Sequence, residues 1–432
     1  MTNGYEAIIP LTQVTMSPHH GSVIALHDGR LLWVWVYRGV HAIRSEDGGR
    51  TWGERHDVVL SSGEPMAGYV GVHLLRLPSG KLGMVLASKQ GPPKFDGQEI
   101  SWLTFHTSED EGETWSAPQL INPPYSALTQ WGIGNASQDK TIVLDDGRIV
   151  IPVDQVLAPT PTCDDPKGVW RMGERFGNLE RRWLVYSFAI YSDDEGRSWQ
   201  RSRNDVVAQI EGGFRGSYAF GEAAVVELND GRLMMLGRTN LGCLYRSYSE
   251  DRGESWQEAE PTDLALSPSP CSLRRIPKTG DLLVIWNQAS RMELLEGVYR
   301  HRLTCAVSKD NGQTWQHHRN LESLDDVTRI EPMIDETMLI AGIRQPVDRQ
   351  RYHRAPGPLR CNEPTCIFHG DNAVITYSHM ELGDPAVITN TYGMDFNDVA
   401  DKYGVTERPD RPGKLSGNNK VRVLPTEWFY EK

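Results

Sequence analysis

The sequence predicts an all-β chain folded as a six-bladed β-propeller, with four antiparallel strands in each blade. Two repeated signals carry that expectation. The first is the phrase Ser-x-Asp-x-Gly-x-Thr/Ser-Trp, which occurs five times, at 45–52 (SEDGGRTW), 108–115 (SEDEGETW), 192–199 (SDDEGRSW), 249–256 (SEDRGESW) and 308–315 (SKDNGQTW). The second is a pair of apolar runs joined at a glycine turn, around Gly29, Gly80, Gly147, Gly231, Gly280 and Gly370. Self-similarity at long spacing marks an array of like supersecondary units, and many short strands closed into a ring suit a propeller.

Each element follows from local chemistry. Apolar runs joined by Asp-Gly or its equivalents read as hairpins. Their continuous apolar character fits strands covered on both faces, so each hairpin supplies the first and second strands of a blade. In the five-fold phrase the Asp side chain can accept from backbone N–H groups across a bend, the Gly takes a conformation closed to residues with a Cβ, and the Trp is a large anchor. That turn joins the third and fourth strands of blades one to five. Blade six lacks it. Its closing strand is expected from a terminus, with 5–11 (YEAIIPL) and 420–430 (KVRVLPTEWFY) as candidates, and pairing the ends would leave no open edge. A single domain over 1–432 is expected, with an irregular segment at 380–419.

Antiparallel succession puts both kinds of turn on one face, here called lower. Starts of first and third strands and ends of second strands then meet on the upper face, near the central channel. Two long insertions, 155–182 and 344–360, fall on that side, where long loops tend to serve function.

The bulk numbers exclude some classes. A net charge of −12 argues against a nucleic-acid partner. No run approaches the length of a membrane helix. Residues 1–13 lack a basic start followed by an apolar core, so a cytoplasmic location is the expectation. The six cysteines show no CxxC pairing and read as reduced, buried thiols. The Asp-rich turns lack a calcium-loop ligand series, so no metal is assigned, and no phosphate or dinucleotide fingerprint implies a cofactor.

The five-fold phrase is the Asp-box of the sialidase (neuraminidase) superfamily, which this chain resembles. The resemblance implies a propeller acting on carbohydrate. Glu222 and Arg238, in the stretch GEAAVVELNDGRLMMLGR, are similar to a sialidase glutamate that polarises the catalytic tyrosine and an arginine that binds the substrate carboxylate. Arg300 resembles another arginine of that carboxylate-binding triad, with Arg302 as its rival. The chain departs from the pattern at three places. Ser17, Pro18, His19 and His20 stand where the family has Arg-Ile-Pro. The loop Tyr37, Arg38, Gly39, Val40 holds no acid/base aspartate, and Leu359 to Pro364 holds no tyrosine.

Blade geometry gathers an alternative set on the upper face. From first strands come His19, His20, Tyr69, His73, Gln138, Asp139, Lys140, Glu222 and Glu363. From second-strand ends come Arg38, Lys89, Asp154, Arg238, Asn287 and Tyr377. The expected activity is an exo-acting glycoside hydrolase on a terminal, acidic or neutral sugar. Glu222 is the expected base or nucleophile, and Asp139, Asp154 and Glu363 compete for the acid role, since carboxyl groups in unlike surroundings acquire the split proton affinities that acid/base work needs. His20 is a further catalytic candidate. Arg238, Arg300, Arg38, Tyr69, His73, Lys89, Gln138, Asn287 and Glu363 are the expected substrate contacts. Two other readings stay open: a uronate-directed lyase with His20 or Tyr69 as base, and a glycan-binding propeller without turnover.

Overall fold

The computed structural model describes residues 4–9, 21–36, 39–67, 69–88, 102–121, 139–157, 184–209, 220–239, 241–267, 269–291, 293, 300–332, 357–382 and 415–431. Its strands form six four-stranded antiparallel sheets, besides a short parallel pair between Val59–Leu60 and Thr114–Trp115. Blade four is representative: Gly221–Glu227, Leu233–Arg238, Cys243–Ser249 and Glu260–Ala265 follow one another in sequence and in space. In every blade a Gly turn joins the first and second strands. In blades one to five the Asp-box joins the third strand to the fourth, as expected.

Blade six uses both termini. Gly357–His369, Asn372–Leu382 and Leu415–Pro425 are its first three strands, and Tyr5–Ile9 pairs antiparallel with the third to become the fourth. The third strand begins at Leu415 because its register runs the full length of the long second strand, from Asn372↔Pro425 to Leu382↔Leu415. The closing fourth strand is therefore the N-terminal candidate, as Tyr5–Ile9, while the C-terminal candidate is the third strand, over Leu415–Pro425 rather than 420–430, with Thr426–Tyr430 a 3-10 turn. Segment 380–419 is strand at both ends, and its middle, 383–414, lies outside the described residues, as do most of the insertions at 155–182 and 344–360.

The core is not a central mass but six apolar seams, one between each pair of neighbouring blades. Blades six and one meet through Val374, Val421 and Val423 against Trp33, Trp35 and Trp52. Blades four and five meet through Met234, Leu236 and Tyr248 against Trp286 and Trp315. Each blade is covered on both faces, which accounts for the unbroken apolar second strands such as Leu31–Val36.

The Asp-boxes brace the seams. In the first box Asp47 Oδ1 accepts from Ser45 Oγ (2.9 Å) and Thr51 N–H (2.8 Å), while Oδ2 accepts from Thr51 Oγ1 (2.7 Å). The same bonds recur around Asp110, Asp194, Asp251 and Asp310. The box glycine presses on the preceding blade. A Cβ on Gly196 (φ +87°) would lie 2.4 Å from Phe105, and one on Gly312 (φ +81°) 2.3 Å from Met234 Sδ.

Candidate functional site

Two bulges build the upper face. In blade four the pairing jumps between Gly221 and Ala224, leaving Glu222 at φ +45°. In blade six it jumps between Asn362 and Thr365, leaving Glu363 at φ +56°. A bulge re-aims a side chain and is frequent beside active sites. Asp139 (φ +50°) and Arg300 (φ +55°) also hold the left-handed conformation, which costs a residue with a Cβ about 1–3 kcal/mol and persists where surrounding contacts enforce it.

Glu222 and Arg238 face each other from the two strands of the blade-four hairpin, as an ion pair with both side chains buried. Lys140, from blade three, donates its ammonium to the Glu222 carbonyl. Burial alone would raise the Glu222 carboxyl, but the charges of Arg238, Lys140 and Arg300 outweigh it and hold the group down at about 2. Asp154, in the second strand of blade three (Ile149–Leu157), is also buried. Burial pushes its carboxyl up to about 7, the Glu222 charge adds to the rise, and Lys140 and the Glu222 N–H offset part of it. Its Oδ1 has no hydrogen-bond partner among the described residues. The two carboxyl groups thus lie in opposite surroundings, Asp154 favoured in its neutral form by burial and the Glu222 charge, Glu222 favoured in its ionised form by the surrounding cations.

Arg300 lies just ahead of the third strand of blade five, with Nη1 3.5 Å from Glu363 Oε1. Its rival Arg302 is spent elsewhere, on Glu293 (2.9 and 3.1 Å) and Asp325. Tyr69, half-buried at the start of blade two, stacks edge-on against His106 at 5.8 Å. Glu222, Asp154, Arg238, Arg300 and Glu363 are the expected site residues that the structure assembles.

Three others hold the framework instead. Asp139 was expected as an acid, but both its oxygens are taken, Oδ1 by Ser22 Oγ (2.6 Å) and Oδ2 by Arg274 Nη2 (2.5 Å). Arg274 also donates to the Cys366 carbonyl (2.8 Å), and Ser22 Oγ accepts from Leu74 N–H (2.9 Å), so this network ties blades one, two, three, five and six around the channel. His73 accepts at Nδ1 from Thr141 N–H (3.1 Å) and pairs there with Thr141 Oγ1 (2.8 Å), fixing the entry to blade three. Asn287 was expected to meet a substrate hydroxyl. It is fully buried, and its Nδ2 donates to the carbonyls of Cys361 (2.6 Å), Arg302 (3.0 Å) and Arg300 (3.4 Å).

Tyr377 does not replace the family's tyrosine. It sits in the blade five–six seam with its hydroxyl on Glu322 (2.6 Å), and burial beside that charge drives its phenol well above the ordinary value. His20, Arg38, Lys89 and Gln138 lie outside the described residues. The sequence reading missed Arg274, since nothing local announces a side chain that reaches across a channel. The five described cysteines are buried and no disulfide joins any two of them, and burial pushes the thiols of Cys243, Cys305 and Cys366 up to about 12. No described helix is long and apolar enough to cross a membrane.

Comparison with known proteins agrees with this fold. The BNR repeat-like domain family matches residues 34–394. A sialidase of Bacteroides fragilis is 26% identical over 314 residues, covering 64% of this chain and 48% of the relative. A sialidase of Micromonospora viridifaciens is 26% identical over 338 residues, covering 70% and 44%. The chain thus spans about half the length of the curated relatives it matches. Among solved structures, a Dyadobacter fermentans protein of unknown function superposes with a TM-score of 0.55 at 14% identity, covering 98% of both chains. The NanB sialidase of Streptococcus pneumoniae gives 0.54 at 12%, covering 98% of this chain and 71% of that one. With a family match across most of its length and an Asp-box in each of five blades, the chain belongs to the BNR repeat-like domain family of the sialidase superfamily.

Proposed function

We propose that this propeller is a glycoside hydrolase that removes a terminal sugar, with Asp154 as proton donor to the leaving oxygen and Glu222 as the ionised partner. The observation that carries this reading is the placement of two buried carboxyl residues on adjoining blades, Glu222 on its bulge and paired with Arg238, Asp154 with an Oδ1 that meets no partner among the described residues, the first shifted down and the second up. A proton donor works best when its affinity lies near the working pH. Glu222, kept anionic by Arg238, faces the positive charge that develops on the sugar ring, as nucleophile or as base for water. A gap of about 5–5.5 Å between the carboxyls in the substrate complex corresponds to retention, and one of about 6.5–9.5 Å to inversion. Arg238 and Arg300 bring two guanidinium groups to the same mouth, which favours a sugar bearing a carboxylate. The sialidase relatives support the class of substrate, while the missing family tyrosine favours a carboxyl-based chemistry over theirs.

The test is turnover of a panel of aryl glycosides of neutral and acidic sugars, comparing the parent protein with Glu222→Gln. The expected loss is about 10²–10⁴-fold in kcat/KM. Full activity of the variant on a substrate the parent hydrolyses would sink the assignment. An ultraviolet-absorbing unsaturated product would point to elimination instead.

A further inference from the structure

Lys140 has no part in the reaction as drawn, yet it is 95% buried, it enters the strand paired with that of Asp154, and its ammonium reaches the backbone of Glu222. Its ammonium crosses the blade three–four seam to the carbonyl of Glu222, the residue held at φ +45°. Its own backbone is pinned, with its N–H directed at His73 Nδ1 (3.3 Å) and the next residue, Thr141, bonded to the same nitrogen. A buried ammonium is costly unless negative charge or strong acceptors compensate it. Such a residue is therefore informative about the field around it.

The charged and titratable groups around the pair come from every neighbouring blade. Blade two presents His73; blade three Asp139, Lys140 and Asp154; blade four Glu222 and Arg238; blade five Cys271, Arg274 and Arg300; blade six Glu363. The other cations have partners of their own. Arg238 is paired with Glu222, Arg274 with Asp139, and Arg300 with Glu363. Lys140 is the cation that acts most strongly on Asp154, and it acts on Glu222 and on the Cys271 thiol as well.

We propose that Lys140 is a positioning residue for the carboxyl pair, its ammonium holding Glu222 in its bulged conformation and supplying the fixed positive charge next to Asp154. The inference rests on the reading of that pair as proton donor and anion. It extends that reading by assigning the working range of the site to a residue that need not touch the sugar. Without the ammonium, Asp154 would hold its proton to higher pH, because burial and the Glu222 charge would act unopposed by it.

The test is a carboxyl ¹³C NMR titration of the full chain, with Asp154→Asn to assign the Asp154 signal. In Lys140→Met the Asp154 midpoint is expected to rise by about one pH unit or more, and Lys140→Arg to return it toward the parent value. Lys140→Gln can still donate to the Glu222 carbonyl but carries no charge, so it covers the case in which the methionine variant fails to fold. A folded Lys140→Gln or Lys140→Met protein with an unmoved Asp154 midpoint would overturn the proposal. Since the titration needs no turnover, a protein that titrates as stated but hydrolyses no glycoside would leave Lys140 its role and overturn the hydrolase reading alone.

Discussion

Asp154 is a liability to the folded chain as well as the candidate acid. Its carboxyl rises from an ordinary 3.8 to about 7 on folding. The folded state therefore holds more protons than the unfolded chain between those values, and stability falls as pH rises through that window. Above it the penalty is on the order of a few kcal/mol. Asp154→Asn, which mimics the protonated form, should raise the melting temperature relative to the parent at pH 8 and change it little at pH 4. Equal shifts at both pH values would show that the carboxyl is not displaced. At this scale the sequence was legible in part. Glu222, Arg238 and Arg300 were recognisable from resemblance, and Asp154 from its place near the top of a second strand. Asp139, His73 and Asn287 occupy equally suggestive places, but position on a face does not reveal whether a polar atom is already bonded to backbone or to a distant arginine.

The Asp-box is the element that the sequence made most legible, because its whole bonding pattern is local. Each box aspartate is held below its ordinary value, burial opposing and the box hydroxyls and N–H groups prevailing, with Asp251 down at about 2. A depressed carboxyl stabilises the fold above its unfolded value and loses that contribution as pH falls through the folded one. Asp251→Asn should therefore lower stability at pH 7, by about 1–3 kcal/mol, and the deficit should shrink as pH drops toward 2, measured by urea unfolding. Gly196→Ala should cost about 1–3 kcal/mol through its clash with Phe105, on top of the positive φ. A neutral Gly196→Ala variant would mean that the box does not wedge against the preceding blade. The lengths of the blade-six strands were less legible, since they are set by pairing between distant segments.

For the whole molecule, six seams in series mean that the ring is only as secure as its closure and its centre. At the closure Lys420 joins Glu322 of blade five (2.5 Å) to Glu6 of the N-terminal strand (2.6 Å). Removing residues 1–9 would expose the edge of Leu415–Pro425, and the expected result is a lower melting temperature with concentration-dependent association in light scattering. At the centre, Arg274→Met would leave Asp139 buried without its partner, at a cost of about 3–5 kcal/mol at pH 8. The loss should shrink as pH falls, because burial raises this carboxyl and favours its neutral form. Repeats announced the blade count; the cross-channel network did not announce itself, because its members lie on different blades far apart in sequence.

In the proposed reaction Asp154 donates a proton while Glu222 stays ionised. The most direct measurement compares Asp154→Asn with the parent on two glycosides of the same sugar, one with a poor phenolic leaving group and one with a dinitrophenolate. If Asp154 protonates the leaving oxygen, the variant loses about 10²–10⁴-fold on the first, little on the second, and the parent's decline in kcat/KM above pH 7 disappears. Equal activity of parent and variant on both substrates, with the decline intact, would contradict it.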